Sequence, residues 1–459
     1  MREVTLQEML DARERRAEAQ RELLAAFALP VLSFTMNIPG PIKDSPTIRR
    51  AFDEGLRQLD LALNDAGYAT LSRQVRHAVT GHVFLCAVQA DAAELKAICT
   101  QLEDASPMGR LYDMDVIGPN GQKLARAEER RCLVCGSVGR ACASRRLHDL
   151  DELNAAVAHL LREGLLAADA ERADALANQA LLDEVYTTPK PGLVDRNNNG
   201  SHRDMCPETF ERSADALRGF WRDCFLVGAE TAALPAAEAF ARMRTLGVEA
   251  EKKMLEATGG VNTHKGAIFT LGTVCGALGR LWQPDNPHLF PERIPETCAE
   301  LCRKAVDEDF AAMVKIGRAR TTGERLFLSS GLRGIRGEAA DGLPAVFETG
   351  LPVLTACLSD GMSRNDAGVN TLLHLIARGG DTNMIKRGGA ELADAAVGRV
   401  RRLLAEYPRP ETTRILELDT AFIRQDLSPG GCADLLAVSY FLYDWSLLPS
   451  GGSEDERAG

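Results

Sequence analysis

The sequence lacks the features that mark a membrane-spanning, secreted or nucleic-acid-binding protein. No uncharged apolar run in it reaches the ~18–20 residues that a bilayer-spanning helix requires. The N-terminal stretch MREVTLQEMLDARERR is charged rather than apolar, so we expect no secretory signal peptide. Basic residues are not in excess, because the formal net charge is −11, and this disfavours binding to nucleic acid or to an anionic membrane.

What the sequence does contain is a long chain with many scattered cysteines. Twelve cysteines without a secretory signal are expected to be reduced thiols or metal ligands in a cytoplasmic protein. The hydrophobic fraction of 45% and the charged fraction of 26% are typical of globular proteins. At 459 residues the chain exceeds one ordinary core, so two or three domains are expected.

The first 150 residues alternate between helical and strand-like patterns. Thr5 and Glu8 predict a capping box at the start of a helix that ends near Phe27. The further predicted elements are strands over 31–38, 81–88 and 110–117, and helices over 47–66 and over AAELKAICTQL. Such alternation indicates an α/β (or α+β) domain.

From residue 150 onward the pattern becomes helical. The apolar residues of 153–161 fall on one helical face, and no convincing strand follows them. We therefore predict a first domain over 1–165 and an all-α domain over 166–448. The polar stretch 449–459 is predicted to be a disordered tail.

Asp113 and Asp115 lie two residues apart on the third predicted strand. The period of two points both carboxylates to the same face of a sheet. Paired carboxylates can hold Mg²⁺, which neutralises phosphate oxygens during phosphoryl or nucleotidyl transfer. Arg110 and Lys43 would supply the cations that a polyphosphate needs. The alternative interpretation is a solvated strand face.

A second motif places three cysteines and a histidine at knuckle-like spacing. It reads Cys132-x₂-Cys135-x₆-Cys142-x₅-His148. Four soft ligands of this kind suit tetrahedral Zn²⁺. The alternative is a group of buried or free thiols beside a surface histidine.

Five glycine-rich polar blocks interrupt the helical half. They are TTPKPGLVDRNNNGSHRDM (187–205), GGVNTHKGA (259–267), SSGLRGIRGEAADGLP (329–344), RGGDTNMIKRGG (378–389) and LSPGGCADLLA (427–437). Ordinary helix connections need only ~2–8 residues, so we interpret these blocks as ordered site loops rather than simple interhelical loops. In the last block, Ser428 is the predicted N-cap and Pro429 the predicted first helical residue.

The five blocks share a composition that suits an anionic ligand. Glycine lets the backbone approach a ligand closely, and cations and N–H groups at helix starts favour anions. Carboxylates in the same blocks could hold Mg²⁺. The candidate residues are Lys190, Asp195, Arg196, His202, Arg203, Asp204, Asn262, His264, Lys265, Arg333, Arg336, Glu338, Asp381, Asn383, Lys386 and Arg387.

These motifs resemble two known enzyme families. The first domain resembles apo-citrate lyase phosphoribosyl-dephospho-CoA transferase in MNIPGP followed by Lys43, in GRLYDMDV and in RxCLxCG…CxRxxxH. The second domain resembles triphosphoribosyl-dephospho-CoA synthase in TPKPGLVDRNNNGSHRDM, NTHKGAIFTLG, GxRGEAxxG, DTNxxxRGG and SPGGxADLLA. The resemblance covers roughly residues 25–150 and 175–445, nearly the whole chain.

The resemblance implies a two-step pathway. The C-terminal domain would join ATP and 3'-dephospho-CoA into 2'-(5''-triphosphoribosyl)-3'-dephospho-CoA and release adenine. The N-terminal domain would transfer the phosphoribosyl-dephospho-CoA moiety to a serine of the apo acyl carrier (γ) subunit of citrate lyase and release pyrophosphate. The second step is nucleotidyl-transfer chemistry, so a nucleotidyltransferase-like fold is expected for the first domain.

The implied chemistry assigns roles to the candidate residues. Asp195, Asp204 and Asp381 are the candidate bases for the attacking hydroxyl, and His202 or His264 is a candidate acid toward adenine. Asp113 and Asp115 would carry Mg²⁺, with Arg110 assisting the transfer. The predicted nucleotide-binding residues are Lys43, Lys190, Arg196, Asn262, Lys265, Arg333, Arg336, Glu338, Asn383 and Arg387.

Two alternative functions remain open at this stage. The same chemistry could serve a malonate decarboxylase carrier subunit, because that pathway uses related parts. Alternatively, the chain could be a zinc-dependent adaptor whose helical half binds nucleotide without turnover. Release of free adenine from ATP distinguishes an enzyme from such an adaptor.

Overall fold

A computed structural model describes residues 2–288, 291–316, 319 and 322–448. The chain forms two units. The first holds the residues up to Asp169 together with Gln283–Pro287, and the second holds Ala170–Trp282 and the described residues from His288 onward. The predicted tail, 449–459, lies outside the described residues.

The first unit begins with the predicted capping box. The Thr5 hydroxyl accepts a hydrogen bond from the Glu8 backbone N–H at 3.2 Å, and the Glu8 carboxylate accepts one from the Thr5 N–H at 2.8 Å. These two bonds satisfy N–H groups that a helix start leaves unpaired. The elements of the unit are α1 (Leu6–Phe27), β1 (Val31–Met36), α2 (Pro46–Asp65), β2 (Ala69–Arg76), β3 (Val83–Gln89), α3 (Ala92–Asp104), β4 (Tyr112–Ile117), α4 (Gly139–Arg145) and α5 (Leu150–Tyr186), which continues into the second unit.

The four strands form one antiparallel sheet in the order β2-β3-β1-β4. Of the two predicted classes, α+β is therefore right, and α/β with a parallel sheet is wrong. An alternating order of helices and strands along the chain does not specify strand direction, because a helix can connect strands that run either way. Helices α1, α2 and α3 pack against this sheet.

Strand β2 was not predicted from the sequence. It lies at the edge of the sheet, and seven of its eight residues are exposed, so no period-two burial pattern marks it. Its pairing with β3 also shifts register between Leu71 and Gln74. An irregular, solvated edge strand of this kind carries little hydrophobic signal.

The two faces of the sheet bury different surfaces. Phe34 stacks on Phe52 of α2 with ring centroids 4.8 Å apart, and Gly55 gives the Phe34 ring room, since a Cβ there would lie 2.7 Å from it. On the other face, Leu23 of α1 packs with Val31 and Leu85. The sheet therefore has an aromatic α2 face and an α1 face.

The second unit is helical, with no strand among its described residues, as predicted. Its helices after α5 are α6 (Pro207–Ala216), α7 (Phe220–Glu230), α8 (Ala236–Ala257), α9 (Lys265–Leu281), α10 (Ile294–Ile316), α11 (Thr322–Ser330), α12 (Gly334–Ala340), α13 (Leu351–Ser359), α14 (Arg364–Arg378), α15 (Thr382–Gly388), α16 (Ala390–Glu406), α17 (Thr412–Arg424) and α18 (Gly430–Ser446). Within the described ranges, every helix is too short or too polar to cross a membrane.

Helices α7 and α9 approach each other through glycines. A Cβ built on Gly279 would lie 1.9 Å from the Phe225 carbonyl oxygen, and one on Gly228 would lie 2.1 Å from the Gly276 carbonyl oxygen. Both contacts are with backbone, which cannot turn aside as a flexible side chain can. The two helices therefore require glycine at this crossing.

We expect Gly279→Ala to destabilise the helical unit by about 1–3 kcal/mol, because overpacking forces the two backbones apart. The matched control is Gly398→Ala on α16, where the nearest atom is the flexible Arg402 side chain at 3.7 Å. At position 398 the substitution should stabilise the helical unit by about 1 kcal/mol, because alanine has a higher helix propensity than glycine. Unfolding followed by circular dichroism measures both; equal midpoints for the two variants would contradict the close approach.

Candidate functional site

The five glycine-rich blocks all contribute to one cavity of about 1080 Å³ in the second unit. Two of the blocks are not wholly irregular, because they contain the short helices α12 and α15. The predicted residues that line this cavity are Lys190, His202, Asp204, Asn262, His264, Lys265, Arg336, Asn383, Lys386 and Arg387. The blocks are thus parts of one site rather than separate surface loops.

Asp195 holds the first block in shape. Its buried carboxylate accepts hydrogen bonds from the backbone N–H groups of Lys190 at 2.9 Å, Asn197 at 2.7 Å and Asn198 at 3.1 Å. These bonds satisfy backbone N–H groups that no helix or strand pairs. Asp195 lies outside the cavity lining, so its position is that of a loop organiser.

Asp419 is a second organiser of this block, and it was not predicted. Its carboxylate accepts hydrogen bonds from the Gly192 N–H at 2.8 Å and from the Asn198 side chain at 2.9 Å. Gly192 has a φ of +70° and lies against the Leu427 carbonyl, where no Cβ would fit. The block is therefore ordered by contacts with α17 and with the fifth block.

A buried ion pair joins Lys190 to Glu184 at the cavity wall. The Lys190 ammonium donates to the Glu184 carboxylate and to its backbone carbonyl, and both side chains are buried. Glu184 is the last acid of α5 and was not predicted. A buried ammonium needs such partners because its desolvation is costly.

His202 joins the first block to the fifth. Its Nε2 lies 2.8 Å from the Ser428 hydroxyl, and burial lowers the pKa of His202. The prediction of Ser428 as N-cap is wrong: α18 begins at Gly430, with Pro429 at the N-cap position. The Ser428 hydroxyl pairs with the histidine instead of a backbone N–H of its own helix.

His264 is a neutral imidazole at the start of α9. Its Nδ1 lies 2.7 Å from the Ser213 hydroxyl, and its buried Nε2 has no hydrogen-bond partner among the described residues. Burial, with a smaller contribution from Lys190, lowers the pKa of His264 to about 3. Near neutral pH the ring is therefore uncharged, and it can form hydrogen bonds through one donor and one acceptor nitrogen.

Asp381 supports two helix starts. One carboxylate oxygen accepts from the N–H groups of Asn383 at 2.8 Å and Met384 at 3.1 Å, and the other accepts from Cys432 at 2.9 Å. It thereby caps α15 and anchors the first turn of α18. Like Asp195, it lies outside the lining of the cavity.

Asp434 is an acidic residue of the lining that the prediction omitted. Its carboxylate accepts a hydrogen bond from the Ala267 N–H in the first turn of α9. Burial raises the pKa of Asp434 well above its ordinary value, and the nearby carboxylates of Glu184 and Asp381 add to the rise. Gly266 permits the contact, since a Cβ there would lie 1.9 Å from Asp434 Oδ2.

The remaining predicted residues of this half divide between the cavity and its supports. Arg336 lines the cavity and pairs with Asp309. The other three make supporting contacts outside the lining: Arg333 pairs with Asp307 and Asp341, Glu338 accepts from the Ala345 N–H, and Arg196 lies over the Tyr186 ring. Further charged residues of the lining that the prediction omitted are Arg244, Glu251 and Arg325.

In the first unit, Asp113 and Asp115 lie on the α1 face of the sheet. Asp115 is opposite Ser33, whose hydroxyl accepts from Gln20 of α1, and Asp113 is opposite Thr35. Both carboxylates are accessible, with 40% and 21% of their side chains exposed, respectively. The period-two prediction of a shared face is confirmed by this register.

Basic side chains accompany this aspartate pair. Arg130 lies 3.5 Å from Asp113, and Lys123 lies 2.6 Å from Asp115. The two predicted cations make other contacts: Arg110 donates to the Cys132 carbonyl at 2.8 Å, and Lys43 donates to the Ile38 carbonyl. Partial burial, with the nearby Arg13 charge, lowers the pKa of Lys43.

The predicted Cys/His motif forms a cluster. The ligand atoms of Cys132, Cys135, Cys142 and His148 all lie within 4.8 Å of one another, which is compatible with a bound metal ion. Hydrogen bonds from Ser137, together with one from His148, lower the pKa of the Cys135 thiol to about 6. A thiol of that pKa is largely the thiolate that binds metals.

Two family models match the chain, one in each half. Residues 4–164 match apo-citrate lyase phosphoribosyl-dephospho-CoA transferase, and residues 170–451 match ATP:dephospho-CoA triphosphoribosyl transferase. The two matches together span nearly the whole sequence.

Curated relatives combine the same two halves. The chain is 32% identical to Protein CitXG of Haemophilus influenzae, over 95% of this chain and 96% of the relative. It is 31% identical to Protein CitXG of Leuconostoc mesenteroides, over 96% and 97%. A probable 2-(5''-triphosphoribosyl)-3'-dephosphocoenzyme-A synthase of Vibrio cholerae is 41% identical over 59% of this chain and 86% of the relative.

Proposed function

This chain belongs to the family that joins an apo-citrate lyase phosphoribosyl-dephospho-CoA transferase to an ATP:dephospho-CoA triphosphoribosyl transferase, and on that premise we propose how each half acts. It is a bifunctional transferase that makes and attaches the prosthetic group of citrate lyase. We assign attachment to residues 1–165 and synthesis to residues 166–448. All twelve cysteines lie within the described residues and are free thiols, which supports a cytoplasmic location.

The cavity of the second unit is the proposed site of synthesis. The observation that carries this proposal is the convergence of all five glycine-rich blocks on one cavity of about 1080 Å³, large enough for nucleotide substrates. Cationic side chains from three of the blocks, Lys265, Arg336 and Arg387, would hold the triphosphate of ATP. Dephospho-CoA would enter the same cavity with its ribose hydroxyl toward the ATP ribose.

Asp434 is the proposed base of this step. Of the predicted bases, Asp195 and Asp381 are engaged by backbone N–H groups outside the lining, so only Asp204 of that set lines the cavity. Among the unpredicted acids of the lining, Glu184 and Glu251 form ion pairs with Lys190 and Lys265, which makes Asp434 the stronger candidate. Asp434 would take the proton of the 2'-hydroxyl as the hydroxyl oxygen bonds to C1' of the ATP ribose. The C1'–N9 bond breaks, and adenine leaves with a proton taken up from water. A carboxylate with a raised pKa is the stronger base for this transfer.

His264 is the proposed adenine contact. The His264 side chain is part of the cavity lining, and its buried Nε2 has no hydrogen-bond partner among the described residues, so a hydrogen bond with substrate would satisfy it. Because its low pKa keeps the ring neutral, it would orient the base rather than act as a cationic acid. His202 is held by Ser428 and supports the loop beside it.

The test of synthesis is release of adenine. Incubation of the full chain with ATP, dephospho-CoA and Mg²⁺ should release one adenine for each triphosphoribosyl-dephospho-CoA formed, as followed by chromatography. Omission of dephospho-CoA should suppress adenine release. An adaptor that binds nucleotide without turnover would release none, and that result would contradict the proposal.

The aspartate pair of the first unit is the proposed site of attachment, with a nucleotidyltransferase-like arrangement. Asp113 and Asp115 would hold Mg²⁺, which supplies charge neutralisation at the transferred phosphate. Their shared face, exposure and adjacent cations support this assignment. The carrier serine oxygen would bond to the α-phosphorus while pyrophosphate leaves, and Arg110 and Lys43 would stabilise the phosphates.

An acyl carrier protein is the protein substrate of this half, and we propose the γ subunit of citrate lyase. With ATP, dephospho-CoA and each purified apo carrier in turn, mass spectrometry should detect the added phosphoribosyl-dephospho-CoA on the citrate lyase subunit. The carrier subunit of malonate decarboxylase should remain unmodified under the same conditions. Modification of only the malonate-type subunit would overturn the assignment.

Zn²⁺ is the metal we propose for the Cys/His cluster of the first unit. Three thiolates and an imidazole are a preferred structural zinc set. Mg²⁺ favours oxygen ligands, so the two metals would occupy different sites.

A further inference from the structure

The segment that carries the Cys/His cluster has little apolar surface to stabilise it. Within 131–148, Cys132 and Cys142 are the only described hydrophobic residues that are buried, while Val134, Val138 and Leu147 are exposed. A loop of this length cannot fold on such a small core without a disulfide or a bound metal ion to stabilise it. The buried thiols are themselves the centre of the segment.

The backbone of the segment already has the shape of a metal-binding knuckle. The Cys132 N–H donates to the Ser137 carbonyl at 2.7 Å, and the Gly136 N–H donates back to the Cys132 carbonyl at 3.1 Å. Gly136 has a φ of +71°, which favours glycine and lets the turn close. Helix α4 then brings Cys142 to within 3.5 Å of Cys135.

The distances suit a tetrahedral ion. Zn–S bonds of about 2.3 Å in a tetrahedron place sulfur atoms about 3.8 Å apart. The ligand atoms of the cluster lie within 4.8 Å of one another, so only small side-chain rotations would bring all of them to one ion. The four ligands would complete a closed, structural site with no open position for substrate.

The same segment contacts the strand that bears the aspartate pair. Arg110, two residues before the start of β4, donates to the Cys132 carbonyl at 2.8 Å. Arg130, just before the segment, is held by it as well: its backbone carbonyl accepts a hydrogen bond from the Gly139 N–H at 2.9 Å. The Arg130 guanidinium then reaches the Tyr112 carbonyl at 2.6 Å and Asp113 at 3.5 Å.

Arg130 has a second anchor within the first unit. Its guanidinium also pairs with the buried carboxylate of Glu103, which accepts from the Met114 N–H at 2.8 Å. The side chain is thus held at β4 by Glu103 and Tyr112, whereas its backbone is held by the turn that contains the cluster. Loss of that turn would release the backbone of Arg130 and the contact of Arg110 together.

We propose that Cys132, Cys135, Cys142 and His148 bind one structural Zn²⁺ ion, and that the folded knuckle positions Arg130 beside Asp113, and Arg110 just before β4, for carrier modification. The positioning role rests on the proposed attachment site, while metal binding stands on the geometry of the cluster alone. Arg130 would then join Arg110 and Lys43 in binding the phosphates of the triphosphoribosyl substrate.

The first measurement is the metal content of the full chain purified without chelator. Elemental mass spectrometry should find about one zinc per chain in the wild type and in the control Cys99→Ala, which removes a buried thiol of α3 outside the cluster. Cys135→Ser should retain less than about a tenth of that zinc. A wild type without zinc, or with a Cys135–Cys142 disulfide in its place, would overturn the metal site.

The second measurement separates positioning from stability. Cys135→Ser should lower the kcat of carrier modification at least tenfold, as is common when groups that support a metal site are lost, with adenine release unchanged. Arg130→Ala should lower it similarly while keeping its zinc. Unaltered carrier modification in a zinc-free Cys135→Ser protein would overturn the positioning role. If the wild type modified no carrier, the attachment proposal and the positioning role would both fall, and zinc content would still decide the metal site.

Discussion

Asp113→Asn should reduce carrier modification by about 10³-fold, because the variant removes one of the two negative charges proposed to hold Mg²⁺ at the transferred phosphate. Adenine release by the same protein should be unchanged, since the proposed synthesis site lies in the other unit. The measurement is mass spectrometry of the apo carrier after incubation with previously synthesised triphosphoribosyl-dephospho-CoA, which bypasses the first step. Asp115→Asn should behave in the same way.

The matched control is Asp60→Asn in the same unit. Asp60 lies on the surface of α2, where its carboxylate pairs with Arg73 of β2. It should leave both activities near the wild-type level, because exposed ion pairs contribute about 0–1 kcal/mol. Normal carrier modification by Asp113→Asn would exclude the aspartate pair from the reaction. Loss of both activities would instead mean that the halves do not act independently, or that the variant is misfolded.

Asp434→Asn should reduce adenine release by about 10²–10⁴-fold, the usual contribution of a positioned general base. Transfer from supplied triphosphoribosyl-dephospho-CoA should remain intact. The base must be deprotonated to act, and burial raises the pKa of Asp434, so kcat/KM of the wild type should rise with pH above the ordinary carboxylate range. The residual activity of the variant should not show this rise. Chromatographic assay of adenine across a pH series measures both effects.

Asp204→Asn is the control for this prediction, because Asp204 also lines the cavity but is exposed. We expect an effect below about tenfold from it, as for a residue that contacts substrate without taking the proton. A larger loss in Asp204→Asn than in Asp434→Asn would transfer the role of base to Asp204. Asp381→Asn should mainly lower stability, since its carboxylate anchors two helix starts.

The elements of the first unit show which local signals suffice for prediction. The Thr5–Glu8 capping box and the apolar strand β3 were predictable because each is specified by neighbours in sequence. Strand β2 was not, because an exposed edge strand has no buried face to impose alternation. The antiparallel direction of the strands depends on how β1 is placed between β3 and β4, and no local pattern encodes that placement.

The synthesis site was predictable in part. The five blocks were identified because glycine and charge together are unusual between helices, and they do line one cavity. Glu184 and Asp434 were missed because they lie within helices, where a single acid resembles a solvent-facing residue. Conversely, Asp195 and Asp381 lie in the glycine-rich blocks, as site residues would, but their carboxylates accept hydrogen bonds from backbone N–H groups.

The sequence by itself determined the two halves, their classes of secondary structure, the paired aspartates on one strand face and the loops that suit an anionic ligand. These features follow from period, capping and composition, which act between residues close together in the chain. Only the tertiary structure decided which carboxylates face the cavity, which shape loops, and that Arg130 meets Asp113. Such contacts join residues far apart in sequence. The burial and the pKa of each side chain depend on every element that packs around it.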